Sequence, residues 1–359
     1  MGRVCARMTE ILYIFIVIAA LALGKLAEKN KNVWLVWLLI VFLTIFCGMR
    51  GVSVGIDTPS YYENIIAGFP YPWKFREEGF RLLSTVVMQY TNNVQLVFIL
   101  CAFVTNTLII LRLWEFKKEG KFSFMIMLYL LVFFENDLNI MRQMVSISLI
   151  FWGTRYLKDK GYISYLVFLF IAFTFHRSAI LAIGFLLWTV WGNLSRKQKK
   201  IAALPFLMVI ILAASYAYAS LLADIDSYSA QNVSNVNITY IYRVSIAVLA
   251  IILEKFKIRI KLIKASNKVI DRNYHFQESV PFYYLVGLGF AGLSMFFAFA
   301  GRTGLYYLVF EMIFWGVLVK QSVNRGLYKI LIGIYALYVF ALFLLTNSVN
   351  AFPYYIYIY

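Results

Sequence analysis

Residues 33–62 read VWLVWLLIVFLTIFCGMRGVSVGIDTPSYY. The apolar run Val33–Cys47 gives way at once to Met49–Tyr62, which carries an Arg, an Asp, two glycines and a proline. Lipid leaves no partner for a bare backbone N–H or C=O, so irregular backbone is tolerated only inside protein or beside a watery cavity. The stretch therefore reads as a membrane span ending on a polar site. Met49–Tyr62 becomes one wall of an outer-face pocket, with later stretches supplying the others.

The whole chain has the same texture. Its 359 residues are 62% hydrophobic and 14% charged, whereas soluble chains are about half apolar and a quarter charged. The expected fold is all-α, a single polytopic transmembrane domain over 1–359. Runs of roughly span length lie at 8–24, 33–48, 94–113, 122–134, 139–157, 161–175, 178–192, 201–222, 240–256, 281–300, 303–319 and 330–346. That makes twelve transmembrane or re-entrant helices. Arg3 and Arg7 precede the first run, but no A-x-A-like cleavage site follows, so it reads as an uncleaved span. Cys5, Cys47 and Cys101 lie in or beside apolar runs, a pattern of neither disulfide framework nor zinc site.

The net charge of +17 does not point to nucleic acid, because the basic residues cluster between apolar runs. One alternate set of loops holds 24 of the 34 Lys and Arg residues, including Lys255 to Arg272 in the loop 254–280. That set is cytoplasmic by the positive-inside rule, and both termini lie outside. The KFKIRIKLIK run of that loop suits anionic headgroups. Polar stretches of another kind fall on the outer side: 49–93, 135–142, His176–Arg177, 223–239, Arg302 and the tail from Thr346. ATP and nucleotide sugars are cytoplasmic, so an outer site must use a substrate activated beforehand and carried on lipid. No GK[ST] phosphate loop occurs anywhere.

In 162–191 an apolar stretch is centred on His176–Arg177 and flanked by basic clusters at both ends. A hairpin keeps both clusters in the cytoplasm, with arms of about 21 Å against a core of about 30 Å. The His–Arg turn then sits recessed below the outer surface, the competing reading being longer arms with the pair snorkelling at the headgroups. The loop 49–93 is too long for a bare connection. Phe80, Leu83, Val87 and Tyr90 recur there at helical spacing, which predicts an interfacial or re-entrant helix entered through Glu77-Glu78-Gly79.

Several residues could carry chemistry. Asp57, in Gly55-Ile56-Asp57-Thr58-Pro59, is a candidate base, metal ligand or sugar-hydroxyl acceptor, and the same letters are also turn chemistry. Asn139, Arg142, Gln143 and Ser146 have the spacing of one helix face. Arg142 would face an anion, or pair with Asp137 or Glu135. Arg302 falls between two apolar runs, where Gly301–Gly304 predicts a very short turn, with Tyr306 one helical turn on. With Arg50, Arg142, Arg177 and Arg243 it makes five arginines at outer span ends, a donor set suited to phosphate oxygens. His176 reads as a proton acceptor or as a satisfied structural residue. Glu311, mid-span, is a secondary candidate.

Taken as a series, these residues resemble a known family. Gly55-Ile56-Asp57-Thr58 with Tyr61, Glu78-Gly79-Phe80, Asn139 with Arg142-Gln143, Phe175-His176-Arg177-Ser178-Ala179, and Arg302 with Tyr306-Tyr307 resemble the EpsG family. Its members are Wzy-like exopolysaccharide and O-antigen polymerases of bacterial membranes. The resemblance implies transfer of a glycan from its polyprenyl-diphosphate carrier to a hydroxyl of the next lipid-linked repeat unit, at the outer leaflet of the cell membrane. It places function on Asp57, Arg142, His176, Arg177 and Arg302. The implied reaction is metal-independent and needs no cofactor, and a flippase and a chain-length regulator are the implied partners. A flippase for the same units would spread charge along its spans, whereas here it gathers at their outer ends. An acyltransferase that modifies glycans could use the lone His but would need a cytoplasmic acyl-donor route.

Overall fold

The computed structural model describes residues 2–70, 77–195, 198, 240–250, 252–253, 273–294 and 298–355. Described residues form helices and turns, with no strand among them. Five of the helical stretches are long and apolar enough to cross a membrane: Glu10–Asn30, Val94–Glu115, Phe122–Asn139, Ala300–Gln321 and Arg325–Thr346. Four more are apolar but shorter: Val33–Gly48, Tyr162–Phe175, Tyr240–Ala250 and Ser279–Leu293. The expected run 201–222, the loop 223–239 and the KFKIRIKLIK segment lie outside the described residues, so the figure of twelve stays a reading of the sequence. The chain divides into two compact units, residues 1–148 with 312–359, and residues 149–311.

In the first unit, Gly2–Asn30 turns at Lys31 into Val33–Gly48, and the Asn32 side chain accepts from the Trp34 N–H at 2.8 Å as N-cap. Val33–Gly48 buries Val36, Leu39, Ile40, Leu43 and Cys47, while Trp34, Leu38, Val41 and Ile45 stay exposed. Such an outer face suits lipid. Lipid tails are as apolar as Leu, so close packing rather than water exclusion must hold the helices together. Glycines permit that approach. A Cβ on Gly48 would stand 2.7 Å from the Ile99 Cα in Val94–Glu115.

The polar residues Glu135 to Asn139 were expected to end a span and open an outer stretch. Instead, Phe122–Leu128 continues through a wide π turn, Tyr129–Phe133, into the helix Phe134–Asn139. Asp137 and Asn139 are buried within the unit. The Tyr129 hydroxyl donates to the Asp137 carboxylate and lies 3.0 Å from the Asn106 Oδ1. The break comes at Ile140, before the helix Met141–Gly153.

Among its described residues, the loop 49–93 contains two helices, Thr58–Ile66 and Glu78–Thr91. The second carries the expected spacing but buries Phe80, Ser84 and Val87, whereas Tyr90 is exposed.

In the second unit, Tyr162–Phe175 ends at His176, whose backbone is extended, and a tight 3₁₀ segment Arg177–Ala182 leads into Ile183–Asn193. The two arms pair as the expected hairpin. The Tyr165 hydroxyl donates to the Ala182 carbonyl at 2.5 Å, and the Asn193 side-chain amide donates to the Tyr162 hydroxyl at 3.5 Å.

Asn273–Leu293 begins inside what was expected to be the loop 254–280, and it packs against Ala298–Leu308. The short turn expected at Gly301–Gly304 is not there. Arg302 lies within Ala298–Leu308, and the preceding helix ends at Leu293. These glycines serve helix packing rather than a turn: a Cβ on Gly304 would stand 2.8 Å from the Phe290 Cβ, and one on Gly287 2.7 Å from the Leu308 nitrogen.

Candidate functional site

The first unit places the sequence-derived residues around the end of Val33–Gly48. Four carbonyls at a helix C-terminus lack intrahelical partners, and in lipid each would be costly. Here all four are satisfied. The Met49 N–H donates to the Ile45 carbonyl at 2.9 Å, the Tyr354 hydroxyl to that of Phe46, Arg50 Nη1 to that of Cys47 at 2.7 Å, and the Gln95 side-chain amide to that of Gly48. Arg50 is wholly buried, its Nε 3.4 Å from the Thr58 Oγ1 and its guanidinium 5.0 Å from the centre of the Phe98 ring. Expected in an anion-binding set, it is placed by the structure as a helix cap and loop anchor.

Gly55 fixes the path into Asp57. Its φ of +95° is a glycine conformation, and a Cβ there would stand 2.1 Å from the Leu138 carbonyl oxygen. The Gly55 and Ile56 N–H groups donate to the carbonyls of Asn350 (2.9 Å) and Val349 (3.1 Å), so the tail straps this loop. Asp57 then donates its own N–H to the Asn139 side chain at 3.0 Å and accepts from the Tyr61 hydroxyl at 3.4 Å. Its carboxylate is half-buried at the start of Thr58–Ile66.

Asn139 does not share a helix with Arg142, Gln143 and Ser146, because Ile140 interrupts the face that their spacing suggested. Gln143 and Ser146 are buried. Where Asp137 or Glu135 was the expected partner, Arg142 donates to the Glu77 carboxylate at 2.7 Å. Its guanidinium lies 5.0 Å from the Tyr61 ring centre and 5.8 Å from that of Phe80. Glu78, the acidic candidate, is exposed in the first turn of its helix, and the neighbouring Glu77 holds the arginine. The sequence offered the two side by side without a signal to choose between them.

The second unit gathers a different set. His176 and Arg177 are half-buried at the break between hairpin arms. The Ser178 Oγ stands 2.7 Å from the His176 Nδ1 and 3.4 Å from the Tyr306 hydroxyl, a residue fully buried in Ala298–Leu308. The adjacent Tyr307 donates to the Leu181 carbonyl at 2.8 Å. Two consecutive tyrosines thus hold the His176 turn. Arg302 lies one helical turn earlier on the same helix and is half-buried. Ser178 and Tyr307 entered the sequence reading only as motif letters.

Arg243 and Glu311, two separate candidates by sequence, meet here. Arg243 donates to the Glu311 carboxylate through Nε (2.9 Å) and Nη2, and the Tyr284 hydroxyl donates to its other oxygen at 3.1 Å. Glu311 is wholly buried. A mid-span acid is costly unless paired, and this one is satisfied on both oxygens. Among the described residues no cluster of three or more His, Cys, Asp or Glu side chains is arranged to hold a metal ion.

The apolar helices with polar groups gathered at their breaks define a multi-pass membrane protein. The chain belongs to the EpsG family, whose family model matches residues 33–356. No curated protein and no solved structure matches it. Membership supports a membrane role of the polysaccharide-polymerase kind and a place in polysaccharide biosynthesis.

Proposed function

We propose that the protein is a polysaccharide polymerase of the bacterial cell membrane. It joins oligosaccharide repeat units carried on polyprenyl diphosphate into capsule, exopolysaccharide or O-antigen at the outer leaflet. The observation that carries this reading is the family match over 33–356. In the reaction, the bond between the donor glycan's anomeric carbon and the diphosphate oxygen breaks. The acceptor hydroxyl oxygen bonds to that carbon, its proton passes to a base, and polyprenyl diphosphate leaves with the electron pair.

His176, positioned at a polar break in an apolar hairpin, is the favoured base, and Asp57 is the alternative. Guanidinium forks are suited to the charge on a diphosphate leaving group. The family resemblance assigns that role to Arg142, Arg177 and Arg302, whereas Arg50 caps a helix and Arg243 holds Glu311 as Arg142 holds Glu77. Substrate lipid is the only partner that this chemistry requires. Neither a metal nor a cofactor is assigned to it.

Deleting the gene tests the reading. Long polymer should be replaced by single repeat units on lipid. Purified protein mixed with lipid-linked repeats should elongate them, and translocation or acyl transfer without elongation would refute it.

A further inference from the structure

We propose that Ser178 is a positioning residue that holds the imidazole of His176 in its Nδ1–H tautomer, leaving the lone pair on Nε2. The inference rests on the reading of His176 as base. Ser178 is buried and the third residue of the His176–Arg177–Ser178 turn. Its Oγ lies between two groups, His176 Nδ1 at 2.7 Å and Tyr306 OH at 3.4 Å. A hydroxyl carries one proton and two acceptor lone pairs. In the arrangement with Ser178 donating to Tyr306, it accepts from whatever stands at Nδ1, and a neutral imidazole meets that demand only with its proton on Nδ1. The second nitrogen is then the basic one. Which ring nitrogen carries the proton is set by the bond the other one makes, so the serine fixes the site of proton acceptance without touching substrate.

The surroundings make this a rigid device. Tyr306 is fully buried, and its neighbour Tyr307 fixes the far end of the same segment through the Leu181 carbonyl. Tyr165 ties the Ala182 carbonyl from the first hairpin arm. The Ser178 hydroxyl therefore cannot follow a rotating imidazole, because the segment that carries it is held at three points.

The chain contains two histidines, His176 and His275, which makes a direct test available. The full-length protein with His275→Gln, labelled with ¹⁵N-histidine and placed in lipid nanodiscs, has one imidazole to observe. The expected spectrum shows Nδ1 protonated and Nε2 as the unprotonated nitrogen. Ser178→Ala should move the tautomer ratio toward Nε2–H by about fivefold. Ser178→Thr, which keeps the hydroxyl, should hold it. An unchanged ratio in Ser178→Ala, or an Nε2–H imidazole in the parent, overturns the proposal. In elongation of lipid-linked repeats, Ser178→Ala should lower kcat about tenfold with little change in KM, and His176→Ala should lower it by about 100-fold or more. Full-rate elongation by His176→Ala refutes the base assignment alone, since the spectrum still decides whether Ser178 sets the tautomer.

Discussion

The Arg142 guanidinium donates to the Glu77 carboxylate at 2.7 Å, joining the start of Glu78–Thr91 to Met141–Gly153 across 65 residues of sequence. The two side chains are 18% and 13% exposed, so neither charge is well screened by water. Glu77→Gln keeps the shape and removes the counter-charge. We expect a loss of about 2 kcal/mol, read as a lower Tm in detergent. The Glu77→Gln, Arg142→Gln cycle should show a coupling of about 1 kcal/mol or more. Additive losses would mean that the pair does not fix the loop. Arg142→Ala should also abolish polymer formation where Glu77→Gln, which breaks the same pair, does not, and polymer of normal length would remove Arg142 from the site.

Gly55 and Gly68 make a paired comparison. Both have positive φ, +95° and +66°, but a Cβ at Gly68 meets nothing within 4 Å whereas one at Gly55 meets the Leu138 carbonyl. Gly68→Ala should cost only the left-handed strain, about 1–2 kcal/mol. Gly55→Ala adds a steric conflict with backbone, and the expected loss exceeds that of Gly68→Ala by at least about 1 kcal/mol. Equal shifts in thermal unfolding would show that the Leu138 contact relaxes at no cost.

The contrast between these glycines shows what the sequence made legible. The all-helical class and the hairpin centred on His176 followed from apolar length and flanking charge, which are local properties. Gly301–Gly304 misled, because glycine in an apolar run signals close helix packing as well as a turn, and only the partner helix with Phe290 distinguishes them. Arg243 with Glu311, and Glu77 with Arg142, pair over 68 and 65 residues. No spacing rule reaches that far. Arg50 was read as an outer-face cation because its neighbours are polar; its work on the Cys47 carbonyl is visible only once the helix end is located.

Mutations of the Arg243–Glu311 pair should be strongly non-additive. Glu311 is fully buried and Arg243 13% exposed, so removing one partner leaves an uncompensated charge, at about 3–5 kcal/mol. Glu311→Gln and Arg243→Met should each lower Tm markedly. The double variant Arg243→Met with Glu311→Leu should recover most of the loss. If the double variant is as unstable as the sum of the singles, the pair is not the unit that the structure suggests.

The tail gives the last prediction. The Tyr354 hydroxyl donates to the Phe46 carbonyl and its ring stacks on Phe46 at 4.7 Å, while Tyr355 accepts from the Gly51 N–H at 2.6 Å. Tyr354→Phe removes only the bond to an otherwise orphaned helix-end carbonyl, about 1 kcal/mol. Tyr354→Ala also removes the ring, and should cost about 3 kcal/mol or more. Ending the chain at Thr346 should do more than either variant, because the Gly55 and Ile56 N–H groups lose Asn350 and Val349. In the purified protein the loop 50–56 should then be cut by added protease, where the full chain resists. Equal resistance of the two would mean that the strap does not hold the path into Asp57.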